Sequence, residues 1–460
     1  MNDPATSAND FNRRDFLRGG SLATLMTLMG GVALEAEEKP KETEAKAGEK
    51  SARAPVNCAV IGCGIQGREI LNTLARQPNA LVTAVCDNYG PFLKRAKEAA
   101  PKAESFEDYQ NVLRRKDVQA VLVATPSHLH RDITLAALQA GKHVYCEAPL
   151  ATTLEDARAI AAAAKTAIRA NFQAGVQMRS DPQRDFVLKF IRAGAMGKPI
   201  KARAQWHKKQ SWRRTSPNPD RERDLNWRLR RETSPGLIGE IGLHQVDVVS
   251  WFMNARPVAV TGFGGVLCWN DGRDVPDTIH AVFEYPGGVD FAYDSTLANS
   301  FDSDYEMFYG TDSAVMLRAN KAWMFKEVDS PLLGWEVYAR KDEFYKETGI
   351  ALVANATKLV AQGANPVEDA PYTNTPLSYA LEAFINNTSL IGAAVEDFAA
   401  NFDVNDTAAL KTYVAEIAKN KMAAAGFKEG FEATVTVLKA NEAILKGQKI
   451  IFEQEWFEVG

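Results

Sequence analysis

Three glycines spaced G-x-G-x-x-G, set between an apolar run and a helical pattern, constrain this chain more than any other feature. Val56 to Ile61 is β-branched and apolar, as in a strand buried on both faces. Gly62, Gly64 and Gly67 follow, and Arg68 to Arg76 continues with Ile70, Leu71 and Leu74 at helical spacing. A second apolar run, Ala80 to Cys86, ends in Asp87. Each part has a physical reason. Gly62 allows the tight turn, Gly64 lets backbone approach a pyrophosphate, and Gly67 lets the helix pack on the strand. The helix N-terminus, with Ile65 and Gln66 in its first turn, offers free N–H groups and a positive dipole end. Asp87 stands twenty residues past Gly67, where a carboxylate accepts from both hydroxyls of an adenine ribose. The segment predicts a dinucleotide site; a glycine-rich turn without ligand is the plainer alternative. A carboxylate at 87 repels a 2′-phosphate, which favours NAD over NADP, although Lys94 and Arg95 weigh the other way.

The alternation continues. A helical pattern spans Phe106 to Arg115, and "VQAVLVATPSHLHRD" is a buried strand ending at Thr125-Pro126. A helix over Asp132 to Ala140, the strand "GKHVYCEAP", a helix over Leu154 to Ala170 and "FQAGVQMRS" come next. Such β-α-β punctuation predicts a parallel, doubly wound Rossmann sheet. Ligands of these sheets bind beyond the strands' carboxyl ends. Thr125, Pro126, His130, Glu147 and Gln177 fall there. Singly each is an ordinary turn residue; together they line one edge.

With 460 residues, 46% hydrophobic, the chain has room for two sizeable cores. A net charge of −4 argues against nucleic acid as a partner. No stretch reaches the roughly 18 apolar residues of a membrane span. Residues 1–36 read as a targeting segment. Arg13 and Arg14 precede Phe16-Leu17, and a charge-free apolar run from Gly19 to Leu34 follows. These are the parts of a twin-arginine export signal, which predicts a periplasmic or otherwise exported protein. A basic tail followed by a buried helix is the alternative. Residues 37–54 are charged and lack aromatics, as in a solvated linker. The nucleotide domain is expected over 55–178 and a second domain over 179–460. The five cysteines read as buried thiols rather than a disulfide framework, and no metal-ligand spacing of Cys or His occurs.

The chain resembles the Gfo/Idh/MocA oxidoreductases. The residues that carry the resemblance are Gly62-Cys63-Gly64-Ile65-Gln66-Gly67, Asp87, "TPSHLH" (125–130), "GKHVYCEAP" (141–149), "GKPIKARAQW" (197–206), "GEIGLHQVD" (239–247) and the closing "GFEATVTVLKANEAILKGQKI". The resemblance implies a dinucleotide domain followed by an α+β domain. The second carries a large open, mostly antiparallel sheet, often an oligomer contact, so a homodimer or homotetramer is expected. It also implies hydride chemistry on sugars or polyols. Some members are exported with the nucleotide firmly held, and a related branch uses NAD to hydrolyse glycosides through a transient ketone. Two departures matter. The motif E-K-P appears here as Glu147-Ala148-Pro149, without the lysine that orients substrate and relays a proton. The motif D-x-x-x-H appears as Glu240 to His244, with Glu for Asp. The glycosidase branch also lacks that lysine.

In the second domain, "PGLIGEIGLHQVDVVSWFMN" reads as an apolar helix with Glu240, His244 and Asp247 on one face. His244 is the candidate acid/base, with Glu240 as its partner. A core histidine satisfied by neighbouring carboxylates is the alternative. Residues 206–236 form a long basic stretch. Trp212 and Trp227 are placed to stack on a sugar ring, and Arg179 and Asp247 to bind substrate hydroxyls. Lys208 and Lys209 are expected to supply the charge missing at Ala148. A solvated loop, or one wrapping a neighbouring subunit, fits this stretch equally well. Alternating runs between 257 and 318 read as antiparallel strands, and 376–447 as helical without a chemical motif. The whole reads as an exported NAD-dependent oxidoreductase acting on a sugar-like small molecule. An NAD-using glycosidase or lyase, and a binding protein that has lost chemistry, remain as alternatives.

Overall fold

The β-branched run after the linker forms strand β1 (Val56–Ile61), which lies at the centre of a parallel sheet because both its faces are apolar. The computed structural model describes residues 55–319, 321–332, 341–344, 347–352 and 374–460, so the expected export signal and linker lie outside the described residues. Strands β2 (Ala80–Cys86), β3 (Glu104–Phe106), β4 (Ala120–Val123), β5 (His143–Cys146) and β6 (Phe172–Ala174) complete the sheet in the order β3-β2-β1-β4-β5-β6. All neighbours are parallel. The order reverses between β1 and β4, which opens a crevice above their carboxyl ends. Helices α1 (Ile65–Leu74), α2 (Gly90–Ala99), α3 (Tyr109–Leu113), α4 (His130–Gln139) and α5 (Leu154–Thr166) connect the strands.

Two local expectations shift. Phe106 closes strand β3 instead of opening a helix, and Asp108 starts α3 by accepting from the Gln110 N–H. Helix α5 stops at Thr166 rather than Ala170, because the chain needs those residues to turn back into β6.

The second sheet has ten strands among the described residues. They are β7 (Pro199–His207), β8 (Ala259–Gly265), β9 (Thr278–Tyr285), β10 (Val289–Thr296), β11 (Asp304–Gly310), β12 (Ser313–Arg318), β13 (Lys321–Lys326), β14 (Lys341–Phe344), β15 (Glu347–Ala351) and β16 (Ile450–Ile451), in the order β14-β15-β13-β12-β11-β7-β10-β9-β8-β16. Only β7 and β10 run parallel among its pairings. Alternation decides the faces: Phe291, Tyr293 and Ser295 of β10 point into the core while Asp290 faces solvent.

Helices α6 (Pro182–Phe190), α7 (Pro219–Leu225), α8 (Leu243–Met253), α9 (Pro376–Asn401), α10 (Thr407–Ala418) and α11 (Phe427–Lys446) complete the fold. Helix α9 lies beyond the expected domain boundary, yet it packs on the first sheet. Leu377, Leu381, Phe384 and Ile385 share a core with Val56, Cys58, Val60 and Tyr145. Helix α11 touches both sheets. A Cβ on Gly430 would stand 2.4 Å from the Ala174 side chain of β6, and Ile444 lies against Gly262 and Gly264 of β8. No helix among the described residues is long and apolar enough to cross a membrane.

Candidate functional site

The glycine turn has the geometry its spacing requires. Gly62 adopts φ +91°, and a Cβ there would meet the Ala124–Thr125 main chain at 2.6 Å. A Cβ on Gly67 would lie 1.8 Å from the Gly62 carbonyl oxygen, so only glycine lets α1 sit this close to β1. Gly64 differs. Nothing approaches its missing side chain nearer than the Phe92 ring at 3.9 Å, which leaves an open flank at the start of α1. Gly64 caps α1 without a side-chain hydrogen bond, and Ile65 is exposed beside it. The first-turn N–H groups therefore face outward with the positive dipole end behind them. Asp87 accepts from the Cys63 N–H at 2.7 Å and the Tyr89 N–H at 2.8 Å, one on each carboxylate oxygen. This cradle fits a dinucleotide diphosphate and ribose.

Along the carboxyl edge the expected residues divide. Glu147, at the end of β5, is 8% exposed and accepts from Gln66 Nε2 at 2.9 Å, which ties α1 to the edge. Burial pushes its pKa up to about 7, against the opposing pull of the Gln66 amide. The Thr125 hydroxyl is buried without a partner among the described residues, Pro126 begins the turn after β4, and Gln177 is half-buried after β6. His130 requires a correction. It was expected against the cofactor, but it is 1% exposed and turned inward. Its Nδ1 lies 2.9 Å from the Pro149 carbonyl and its Nε2 3.0 Å from the Thr125 carbonyl. Burial drives its pKa down to about 4, so the neutral ring donates its one N–H to one of these carbonyls and packs between the two edge loops.

The second domain reaches this edge through Glu240. Residues Ile238–Gly242 form a wide π-helical turn before α8, a distortion common at functional sites. Glu240 is 6% exposed and accepts from Ser127 Oγ at 3.1 Å and Ser234 Oγ at 3.0 Å. Ser127 belongs to the turn after β4, so this bond fastens one domain to the other. Arg228 Nε lies 3.5 Å from Glu240 Oε2, and its guanidinium carbon stands 4.9 Å from the Trp227 ring centre and 5.6 Å from that of Trp212. Burial raises the Glu240 pKa, while the charge of Arg228 is the chief force holding it down. The same guanidinium also stabilises the Glu147 carboxylate. Lys208 was expected to supply this cation. It is exposed at the end of β7, as is Lys209, and Arg228 takes the place instead.

His244 is half-buried on the first turn of α8 and its Nδ1 has no partner among the described residues. Burial, aided by the Arg184 charge, lowers its pKa to about 4, so the ring is neutral at physiological pH. Arg184 is itself buried and bonded to Glu306 at 3.0 Å. Asp247 was expected to share a face with Glu240 and His244. Instead it accepts both arms of Arg179, at 2.9 Å each, and the pair lines a cleft of about 350 Å³ with the start of α11. Neither Glu240 nor His244 lines that cleft. The wide turn shifts Glu240 relative to α8, while Asp247, on the regular part of α8 with His244, is claimed by Arg179.

Ser127, Ser234 and Arg228 are the site residues that sequence reading passed over; only the basic character of 206–236 hinted at the last. All five cysteines are free, with Cys268 alone exposed. No metal-holding cluster occurs among the described residues.

Two family models match this chain. The NAD-binding Rossmann domain of the oxidoreductase family GFO_IDH_MocA covers residues 56–174, and the family's C-terminal domain covers 186–315. The chain belongs to the Gfo/Idh/MocA oxidoreductase family. Levoglucosan dehydrogenase of Pseudarthrobacter phenanthrenivorans is 26% identical over 294 residues, 57% of this chain and 73% of that protein. A 2,7-anhydro-N-acetylneuraminate hydratase of Escherichia coli is 26% identical over 266 residues, 57% of this chain and 67% of that protein. The solved structure of levoglucosan dehydrogenase in complex with NADH superposes with a TM-score of 0.63 at 18% identity, covering 87% of this chain and all of that one. That similarity shows the shared Gfo/Idh/MocA fold.

Proposed function

We propose that this Gfo/Idh/MocA protein is an exported, NAD-dependent oxidoreductase that oxidises or reduces a sugar, polyol or glycoside at a carbon bearing a hydroxyl. The observation that carries the reading is the Ser127–Glu240 hydrogen bond, which sets the helix bearing His244 against the carboxyl edge of the nucleotide domain. NAD would be held by the α1 amides at Gly64 and by Asp87, and would supply hydride acceptance. A named relative that is a levoglucosan dehydrogenase supports a sugar-like substrate.

The protein's own residues divide the remaining work. His244 is neutral above about pH 4, so an unpartnered ring nitrogen is free to take the substrate hydroxyl proton. Glu240, held by Ser127, Ser234 and Arg228, positions the helix that carries His244. Arg228 orients charge at the Glu240 carboxylate. The Trp212 and Trp227 rings stand against that guanidinium. Asp87 favours NAD over NADP. The Arg13-Arg14 segment supports export by the twin-arginine route. The outer face of the second sheet, with Phe263 65% exposed beside His280 and Val282, supports pairing with a second copy.

A second reading is favoured by the hydratase relative and by Ala148. In it, oxidation to a ketone acidifies the adjacent C–H, His244 or Glu240 removes that proton, elimination or hydration follows, and the hydride returns. Incubating the protein with NAD and a panel of sugars, anhydro-sugars and aryl glycosides separates the two. Net NADH supports the first reading, and bond cleavage or hydration without net NADH supports the second. His244→Ala is expected to lower kcat by about 100- to 10,000-fold in either case. An unchanged kcat removes His244 from the chemistry.

A further inference from the structure

The stretch 208–236 crosses from the second domain over the nucleotide crevice, and its arginines are unequal. Arg213 pairs with Glu222, Arg221 lies 3.6 Å from Asp224, Arg223 pairs with Glu232 and Arg228 stands beside Glu240. Arg214 has no carboxylate partner among the described residues. It is half-buried, and its guanidinium carbon stands 5.9 Å from the centre of the Phe92 ring. Arg68, one turn into α1, stands 5.9 Å from the same ring and likewise forms no ion pair among the described residues. That ring is the nearest group to the open side of Gly64, at 3.9 Å. Two unneutralised cations, one from each domain, therefore converge beside the open flank of Gly64.

Burial and then repulsion from Arg68, Arg228 and Arg95 pull the Arg214 pKa below its ordinary range, as expected of a cation held among like charges. Like charges gathered without a counter-charge are unfavourable, so something must hold them. Asn226 does so. It is 5% exposed and spends its whole amide on the strap: Oδ1 accepts from the Arg214 N–H at 2.8 Å, while Nδ2 donates to the Arg214 and Glu222 carbonyls at 2.7 Å each. Arg221 fastens the same strap to Asn88, next to Asp87, by donating to its main-chain carbonyl at 2.9 Å.

We propose that Arg214 and Arg68 form a two-domain clamp for the diphosphate of the bound dinucleotide, with the strap delivering the second-domain half. The proposal rests on the dinucleotide reading above. The ligand chemistry is a dianionic diphosphate beside an adenosine, and the clamp is blind to the nicotinamide.

Calorimetry on the full chain tests it, using ADP-ribose and NAD (both with the diphosphate), adenosine (without it) and inorganic pyrophosphate. Arg214→Met is expected to weaken ADP-ribose and NAD about 10- to 100-fold and to leave adenosine unchanged, as loss of a charge-assisted contact predicts. Arg214→Lys should recover part of the loss, since charge persists without the planar fork. Equal ADP-ribose affinity in wild type and Arg214→Met overturns the clamp, and so does a parallel loss for adenosine, which marks a merely structural role. Should wild type bind NAD, ADP-ribose and adenosine not at all, the dinucleotide reading fails. The clamp then stands only if wild type binds pyrophosphate and Arg214→Met does not.

Discussion

Glu147 is a carboxyl group placed where its charged form is poorly solvated, and this has a measurable consequence. Its pKa rises from 4.5 to about 7 on folding, chiefly through burial. The folded state thus binds a proton that the unfolded chain has released. The stabilising contribution of this group is complete below pH 4.5 and is lost as pH rises through about 7. Unfolding free energies across pH 4.5–8 should therefore decline in wild type relative to Glu147→Gln, by about 3 kcal/mol over the window. Parallel curves for the two proteins, measured by urea titration, would show that Glu147 is ionised throughout. At this scale the sequence was informative where spacing fixes geometry: Gly62, Gly64, Gly67 and Asp87 each occupy the place their positions in the motif require. It misled at His130, because a residue one turn past a strand can face outward or inward and packing decides which. Ser127 was illegible because its partner lies 113 residues away, and Ser234 and Arg228 because an irregular stretch gives no period that would aim them at Glu240.

Among the elements, the strap is the least regular and depends most on one side chain. Removing the Asn226 amide leaves the Arg214 N–H and carbonyl without their bonds, while the Glu222 carbonyl keeps the Asn226 main-chain N–H at 3.1 Å. Asn226→Ala should cost about 1–3 kcal/mol locally. Amide exchange in residues 208–232 should then accelerate while α1 and β1 keep wild-type protection. Unaltered exchange in the strap would mean that Arg221 and the indole rings suffice to hold it. Helical and strand elements were legible from periodicity, since burial on one or both faces writes itself into the pattern. The wide turn at 238–242 was not, because the same residues suit a regular helix, and neither was the Arg179 pairing that claims Asp247.

At the scale of the whole molecule, the division between the two halves is less clean than the sequence suggested. Phe384 of α9, two hundred residues beyond the boundary, packs against Tyr145 with ring centres 5.7 Å apart and covers one side of the first sheet. A fragment of residues 55–178 should accordingly expose Val56, Cys58 and Val60 and aggregate. Appending residues 374–401 through a flexible linker should restore a soluble, cooperatively melting domain. A monomeric, cooperatively folded 55–178 fragment would show α9 to be dispensable. Fold class and the parallel direction of the first sheet followed from local pattern; this long-range cover did not, since an alanine-rich helix without a motif gives no hint of what it covers. Helix α11 has a mechanical consequence. It is seated on β6 at Gly430 and on β8 at Ile444, with no room for a larger residue at the glycine contacts. A clamshell hinge would have to prise it from one seat, so the two sheets are expected to travel together like plates riveted at both ends.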